Sequence, residues 1–259
     1  MKSADGKRFV YEKAQLIEVI CQLRYPTILS IEAKDPADFQ DTVRSAFPRY
    51  ACQTEQAAGS QGASVRNHSF LTEDSSYKLS MTKNFIALST MRYTSWEDFA
   101  GMLDEPLGQF IRIYRPAYFE RVGLRYVNGF SRDRLDLHGR RWNDLFQPQY
   151  LGPLDDDAIR EEDVSKCATE VEMKLDGRCS LKLHAGPGMI NRAIRTAGGV
   201  QTLRDPEVRF IFDQDIFAAG NIKLPAVMET LEELHNHADR IFSDAVTDTL
   251  HEAMGPVEI

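Results

Sequence analysis

Two-residue alternation is the strongest constraint this chain carries. Between Leu16 and Tyr25, Ile17, Val19, Cys21, Leu23 and Tyr25 share one side of the pattern, opposite Glu18, Gln22 and Arg24. Successive side chains of an extended chain point to opposite faces, so the pattern specifies a strand with one face buried and one in water. Strands are also expected near Val65 to Leu71, Tyr77 to Thr82 and Phe85 to Thr90. The alternation is clear again from Tyr118 to Asn128, where Val122, Leu124 and Tyr126 share one face and Arg121 and Arg125 the other. Amphipathic strands in this number must join into sheet whose apolar face is covered by another layer.

Helical segments supply that cover. Pro36 opens Ala37 to Phe47, in which Phe39, Val43, Ala46 and Phe47 fall at helical spacing. Ser95 caps a helix with Trp96, Phe99, Met102 and Leu103 along its stripe and Glu97 and Asp98 at its positive end; Pro106 is expected to restart it once before Tyr114. A short helical piece is expected near Trp142 to Phe146. A last strand, Val208 to Gln214, leads to a long helix that Pro225 helps to start and Gly255-Pro256 ends, with Met228, Leu231, Leu234, Ala238, Ile241 and Ala245 in its stripe. At about 30 residues this helix spans about 45 Å. Ala51 to Ala63, rich in Gln, Ala, Gly and Ser, reads as an exposed loop, and Leu154 to Asp163 as a solvated acidic one.

Turn chemistry sets register. A turn at Lys83-Asn84 places Met81 opposite Ile86 and Leu79 opposite Leu88. At Asp176-Gly177 a three-residue loop with Gly177 left-handed is expected to pair Met173 with Cys179 and Glu170 with Lys182. Ala185-Gly186-Pro187-Gly188-Met189 lacks the ending of a phosphate loop and reads as a turn. The order strand, helix, strands, helix occurs twice. The expected fold is therefore α+β, a single domain of two pseudo-repeated β-α-β-β-β-α halves, about 10–115 and about 117–254, forming an antiparallel sheet with helices packed on one side.

The formal net charge of −8 opposes nonspecific adhesion to nucleic acid. Cys21, Cys52, Cys167 and Cys179 are far apart, with no Cys-x-x-Cys pair, and read as reduced thiols. No signal peptide and no apolar run of membrane length is recognised, so a cytoplasmic location and no membrane contact are expected.

Catalytic motifs are absent from the pattern. There is no nucleophile elbow, no dinucleotide fingerprint and no zinc-protease helix, so no enzymatic activity, cofactor or catalytic residue is expected. Asp213 and Asp215 would share a strand face and are weak candidates for a divalent ion, but they read as turn chemistry where the last strand ends. His235 and Asp239, four apart on the long helix, can act jointly, whereas His235 and His237 point in different directions. Arg121, Arg125, Arg132, Arg134, Arg140 and Arg141 concentrate positive charge within an acidic chain and are candidate contacts for an acidic partner or a phosphate.

Three segments together resemble a known family: Leu16 to Pro26 with Pro36 to Gln40, then Arg121-Val122-Gly123-Leu124-Arg125-Tyr126-Val127-Asn128, then the helix from Leu234 to Phe242. The family is a sporadically distributed one of bacterial proteins of about this length, with no established activity to carry over. Its patchy distribution is that of accessory genes, which suggests a prokaryotic defence context, CRISPR-associated or toxin-type. The leading expectation is a non-enzymatic accessory or regulatory subunit whose partner is another protein encoded nearby. A second is a small-molecule or nucleotide sensor with a ligand between sheet and long helix, touched by Arg121, Arg125, His184 and His235. A third is an RNA- or DNA-interacting factor acting through the arginines.

Overall fold

Backbone pairing gathers most of the alternating segments into one antiparallel sheet. The structure, a computed structural model, describes residues 9–56, 64–196 and 199–258, and in residues 55–56 and 191–204 the backbone only. In chain order the elements are β1 (Phe9–Tyr11), β2 (Leu16–Arg24), α1 (Leu29–Ala33), α2 (Ala37–Val43), β3 (Arg49–Gln56), β4 (Ser64–Leu71), β5 (Tyr77–Met81), β6 (Phe85–Thr90), α3 (Trp96–Tyr114) and β7 (Phe119–Phe130). After a segment of short 3-10 turns come β8 (Thr169–Lys174), β9 (Cys179–Thr196), β10 (Gly199–Ile222), α4 (Val227–Ala245), α5 (Asp248–Ala253) and β11 (Pro256–Glu258). Among the described residues the main sheet has nine strands in the order β3-β4-β5-β6-β2-β7-β10-β9-β8, and β1 pairs separately with β11.

The register places one apolar row across every strand of that sheet. Tyr50, Phe70, Leu79, Leu88, Cys21, Leu124, Ile216, Leu181 and Met173 are successive cross-strand partners. Its interior members are buried, and only Tyr50 and Met173 at the two edges are exposed. The helices lie on this face. Phe39 of α2 meets Phe70 edge to face at 5.5 Å, Phe110 of α3 meets Tyr25 at 4.8 Å, and Phe242 of α4 meets Phe130 at 5.9 Å. The opposite face carries ion pairs: Arg125 with Asp213 at 2.5 Å, and Arg121 with Asp215 at 2.6 Å. No helix among the described residues is long and apolar enough to cross a membrane.

Several expectations from the sequence are corrected. Arg49–Gln56 is the edge strand β3 rather than the start of a loop, because an edge strand can be held by its single backbone ladder without an apolar pattern; residues 57–63 of the expected loop lie outside the described residues. The expected helix from Ala37 to Phe47 ends at Val43, and α1 precedes it. Pro106 does not restart α3, which runs unbroken because Phe99, Leu103, Leu107 and Phe110 bury a continuous stripe on either side of it. The acidic stretch from Leu154 to Asp163 contains two 3-10 turns and tucks Leu154 into the core.

Gly186 and Pro187 belong to β9, not to a turn. A Cβ at Gly186 would lie 2.4 Å from the Cys167 carbonyl oxygen, so glycine is required there for close backbone approach. The strand expected at Val208 to Gln214 is part of the much longer β10, which places Asp213 and Asp215 in mid-strand. The loop after Leu175 does have three residues with Gly177 left-handed at φ 55°, but Met173 pairs with Leu181 and Glu170 with His184. The long helix divides at Val246-Thr247. There the Thr247 amide turns to the Leu145 carbonyl at 3.0 Å and its hydroxyl caps α5.

The apolar row predicts graded sensitivity. Leu124→Ala at the sheet centre should lower the unfolding free energy by about 3 kcal/mol, and Met173→Ala, 47% exposed at the edge, by less than about 1 kcal/mol. Urea denaturation of the two variants measures the difference.

Candidate functional site

Polar residues interrupt the helix-side face one row away from the apolar one. Val19 pairs with Tyr126, Tyr126 with Gln214, and Gln214 with Leu183, so strand alternation turns a phenol and an amide toward α4. Asn128, two residues on, also faces inward and is buried. Between β2 and β7 the register shifts at Ile17. Such an extra residue re-aims its neighbours, and here Gln15 and Leu16 line the same space.

That space is a cavity of about 430 Å³ bounded by the sheet, α4, the first turn of α3 and β1. Its rings are Phe9, Tyr11, Tyr93, Trp96, Tyr126 and Phe242. Among the described residues that line it, the charged groups are the carboxylates Glu12, Glu97 and Asp239, with no Lys or Arg. The positive end of α3 opens here too, but Ser95 accepts the Asp98 amide at 3.1 Å and Glu97 and Asp98 sit in that first turn.

A chain of polar side chains crosses the wall of the cavity. The Tyr126 hydroxyl is 2.9 Å from His235 Nδ1, and His235 Nε2 faces Asp239 at 3.5 Å. Trp96 stacks on the imidazole with ring centroids 4.7 Å apart and donates its indole N–H to Glu232 at 2.5 Å, which ties α3 to α4. Burial pushes the Tyr93 and Tyr126 hydroxyls well above the ordinary tyrosine range, so both remain protonated at neutral pH. Gln214 is 1% exposed, and its side-chain carbonyl has no hydrogen-bond partner among the described residues. A buried acceptor left in this state costs about 1–3 kcal/mol unless something binds it.

The candidates read from the sequence separate into different places. His235 and Asp239 line the cavity. Arg121, Arg125, Asp213 and Asp215 are on the far face of the sheet, because their strand positions alternate with those that face α4. Near them His184 pairs with Glu170 and Lys182 with Glu172. The arginine cluster is not one patch. Arg132 binds Glu161 and stacks over Trp142, Arg141 binds Asp157, Arg140 offers its carbonyl to Arg132, and Arg134 borders a shallow depression with Arg209.

Sequence reasoning passed over Gln214, Trp96 and Tyr93 as site residues, although Gln214 sits at an inward position between Phe212 and Ile216. A polar side chain in that phase is the signal that marked it. No protein-family model and no curated protein matches this sequence.

Gln214→Leu should remove the unsatisfied acceptor at similar volume and raise the unfolding free energy by about 1 kcal/mol. Chemical denaturation of this variant against the parent checks the sign.

Proposed function

We propose that this chain is a binding protein for a small organic cation, an ammonium or guanidinium group on an apolar body, held between the sheet and α4 and released unchanged. The observation that carries the reading is the composition of the cavity: aromatic rings with carboxylates and an unpartnered amide carbonyl. Ring faces attract cations, and acceptors and carboxylates complete the coordination of N–H donors in a partly desolvated space. This develops the sensor reading in preference to the accessory-subunit one. Binding without chemistry is favoured because His235 is engaged by Tyr126 and Asp239, and the buried phenols are too weakly acidic to serve as bases.

The frame for this pocket is, in the same reading, a pairing of two related halves. In support, β2 and β7 lie side by side and antiparallel at the middle of the sheet, and each half ends in a helix over the same face. The 3-10 segment after β7 stands where the first half has α1 and α2. On this account the cavity belongs to the second half's central strands and to the junction with β1.

Thermal denaturation with benzylamine and phenethylamine, against benzyl alcohol and phenylacetate, tests the reading. Near saturation the better amine should raise the melting temperature by about 5 °C, with little response to the neutral or anionic analogues. Asp239→Asn should reduce the amine response. Equal stabilisation by phenylacetate would contradict a cation site.

A further inference from the structure

The turn joining β8 to β9 brings a second set of donors under α4, away from the cavity. Asp176, Gly177 and Arg178 form the turn, closed by the Cys179 amide donating to the Asp176 carbonyl at 2.9 Å. This geometry presents the Asp176 carboxylate and the Cys179 thiol side by side. On α4, Glu233 and His237 are four residues apart and so share one face. One donor atom from each of these four residues lies within 4.8 Å of all the others.

The direct contacts among them already converge. His237 Nε2 is 2.7 Å from an Asp176 oxygen, and a Glu233 carboxylate oxygen lies within 4.8 Å of the Cys179 sulfur. Cys179 is 1% exposed and His237 is buried beside it, whereas Asp176 reaches in from the solvent side. An ordinary ion pair would account for Asp176 and His237 alone. It does not account for a buried thiol and a second carboxylate directed at the same point.

We propose that Asp176, Cys179, Glu233 and His237 form a tetrahedral site for a borderline-soft divalent cation, zinc by donor chemistry, that pins the β8–β9 turn to α4. Zinc–sulfur bonds of about 2.3 Å and zinc–oxygen or –nitrogen bonds of about 2.1 Å place tetrahedral donors about 3.5 Å apart, so on binding the Asp176–His237 pair opens from 2.7 Å while any donors spaced more widely, up to 4.8 Å, draw in. A thiolate and an imidazole select against magnesium and calcium, which take oxygen ligands. Four protein donors make a closed, structural site.

Binding releases the Cys179 proton to solvent as the sulfur becomes a thiolate. Arg240 donates to His237 Nδ1 at 2.9 Å, so the imidazole proton now sits on Nε2. Metal at Nε2 moves that proton to Nδ1, and the exposed Arg240 side chain swings away. The site is independent of the cavity and of any ligand bound there.

The test is cobalt substitution of the full chain after treatment with a chelator and desalting. The expected result is one Co²⁺ per chain, with the intense visible bands of tetrahedral cobalt and a thiolate-to-cobalt charge-transfer band that zinc abolishes. Cys179→Ser should lose the charge-transfer band, and His237→Gln and Asp176→Asn should each weaken cobalt binding by more than about tenfold. Far-ultraviolet circular dichroism and melting in chelator, compared with the parent chain, show whether each variant folds; Asp176→Asn, at an exposed position, keeps the test open if the buried variants do not. Absence of the charge-transfer band in the parent at saturating cobalt would overturn the proposal. So would its persistence in Cys179→Ser, or unchanged affinity in folded Asp176→Asn.

Discussion

Burial of one continuous apolar row, from Tyr50 at one edge to Met173 at the other, is the interaction on which the remaining architecture depends. Each interior member is pressed between cross-strand neighbours and the helices above, and a one-residue slip in β5, β7, β9 or β10 could exchange it for a charged neighbour, Lys78, Arg125, Lys182 or Asp215. In β7 such a slip would put Arg125 where Leu124 now meets Cys21 and Ile216. The ion pairs on the far face reinforce the same register, since Arg125 and Asp215 are direct partners across β7 and β10 while the Arg125 side chain reaches Asp213. At the partly exposed Arg125 such a pair adds little stability, and its larger effect is to make the wrong register costly.

The neighbouring row explains where function can reside. Tyr126 and Gln214 face the helices in the phase of the core, yet they carry polar groups that an apolar layer cannot satisfy. The layer therefore parts over them. α4 offers His235 and Asp239 instead of leucine, α3 arrives end-on with Trp96, and β1 closes the side through its ladder with β11. The two faces of the sheet thus have opposite character. Arginines opposite α4 are neutralised by aspartates on the adjacent strand, while the charged side chains among the described residues lining the cavity include the carboxylates of Glu12, Glu97 and Asp239.

Much of the sheet was legible because strand period is a local property. β2, β4, β5, β6 and β7 follow from alternation, and the Met81–Ile86 and Leu79–Leu88 pairs follow from the turn at Lys83-Asn84. β3 was not, because an edge strand holds its place by backbone pairing without needing apolar side chains. Nor was the break at Val246-Thr247, which depends on Leu145 and Phe146 arriving from a distant segment to bond the helix end. The pairing at the β8–β9 turn failed by two residues although its loop length and the Gly177 conformation were read correctly; a two-residue offset keeps every side chain on its face and leaves no trace in the apolar pattern. At the candidate site His235 and Asp239 were legible as a helical pair. Trp96, Tyr126 and Gln214 join them only through tertiary packing, and β1 carries no periodic signal in its three residues.

On the proposed reading, the polar interruption above β7 and β10 is a ligand site. A crystal structure of the protein soaked with phenethylamine addresses it most directly. Density is expected in the cavity with the ammonium group within hydrogen-bond distance of the Gln214 carbonyl or the Asp239 carboxylate and the phenyl ring against Trp96 or Tyr93. Phenethylamine bound only on the arginine–aspartate face of the sheet, with the cavity holding none of it, would contradict the account.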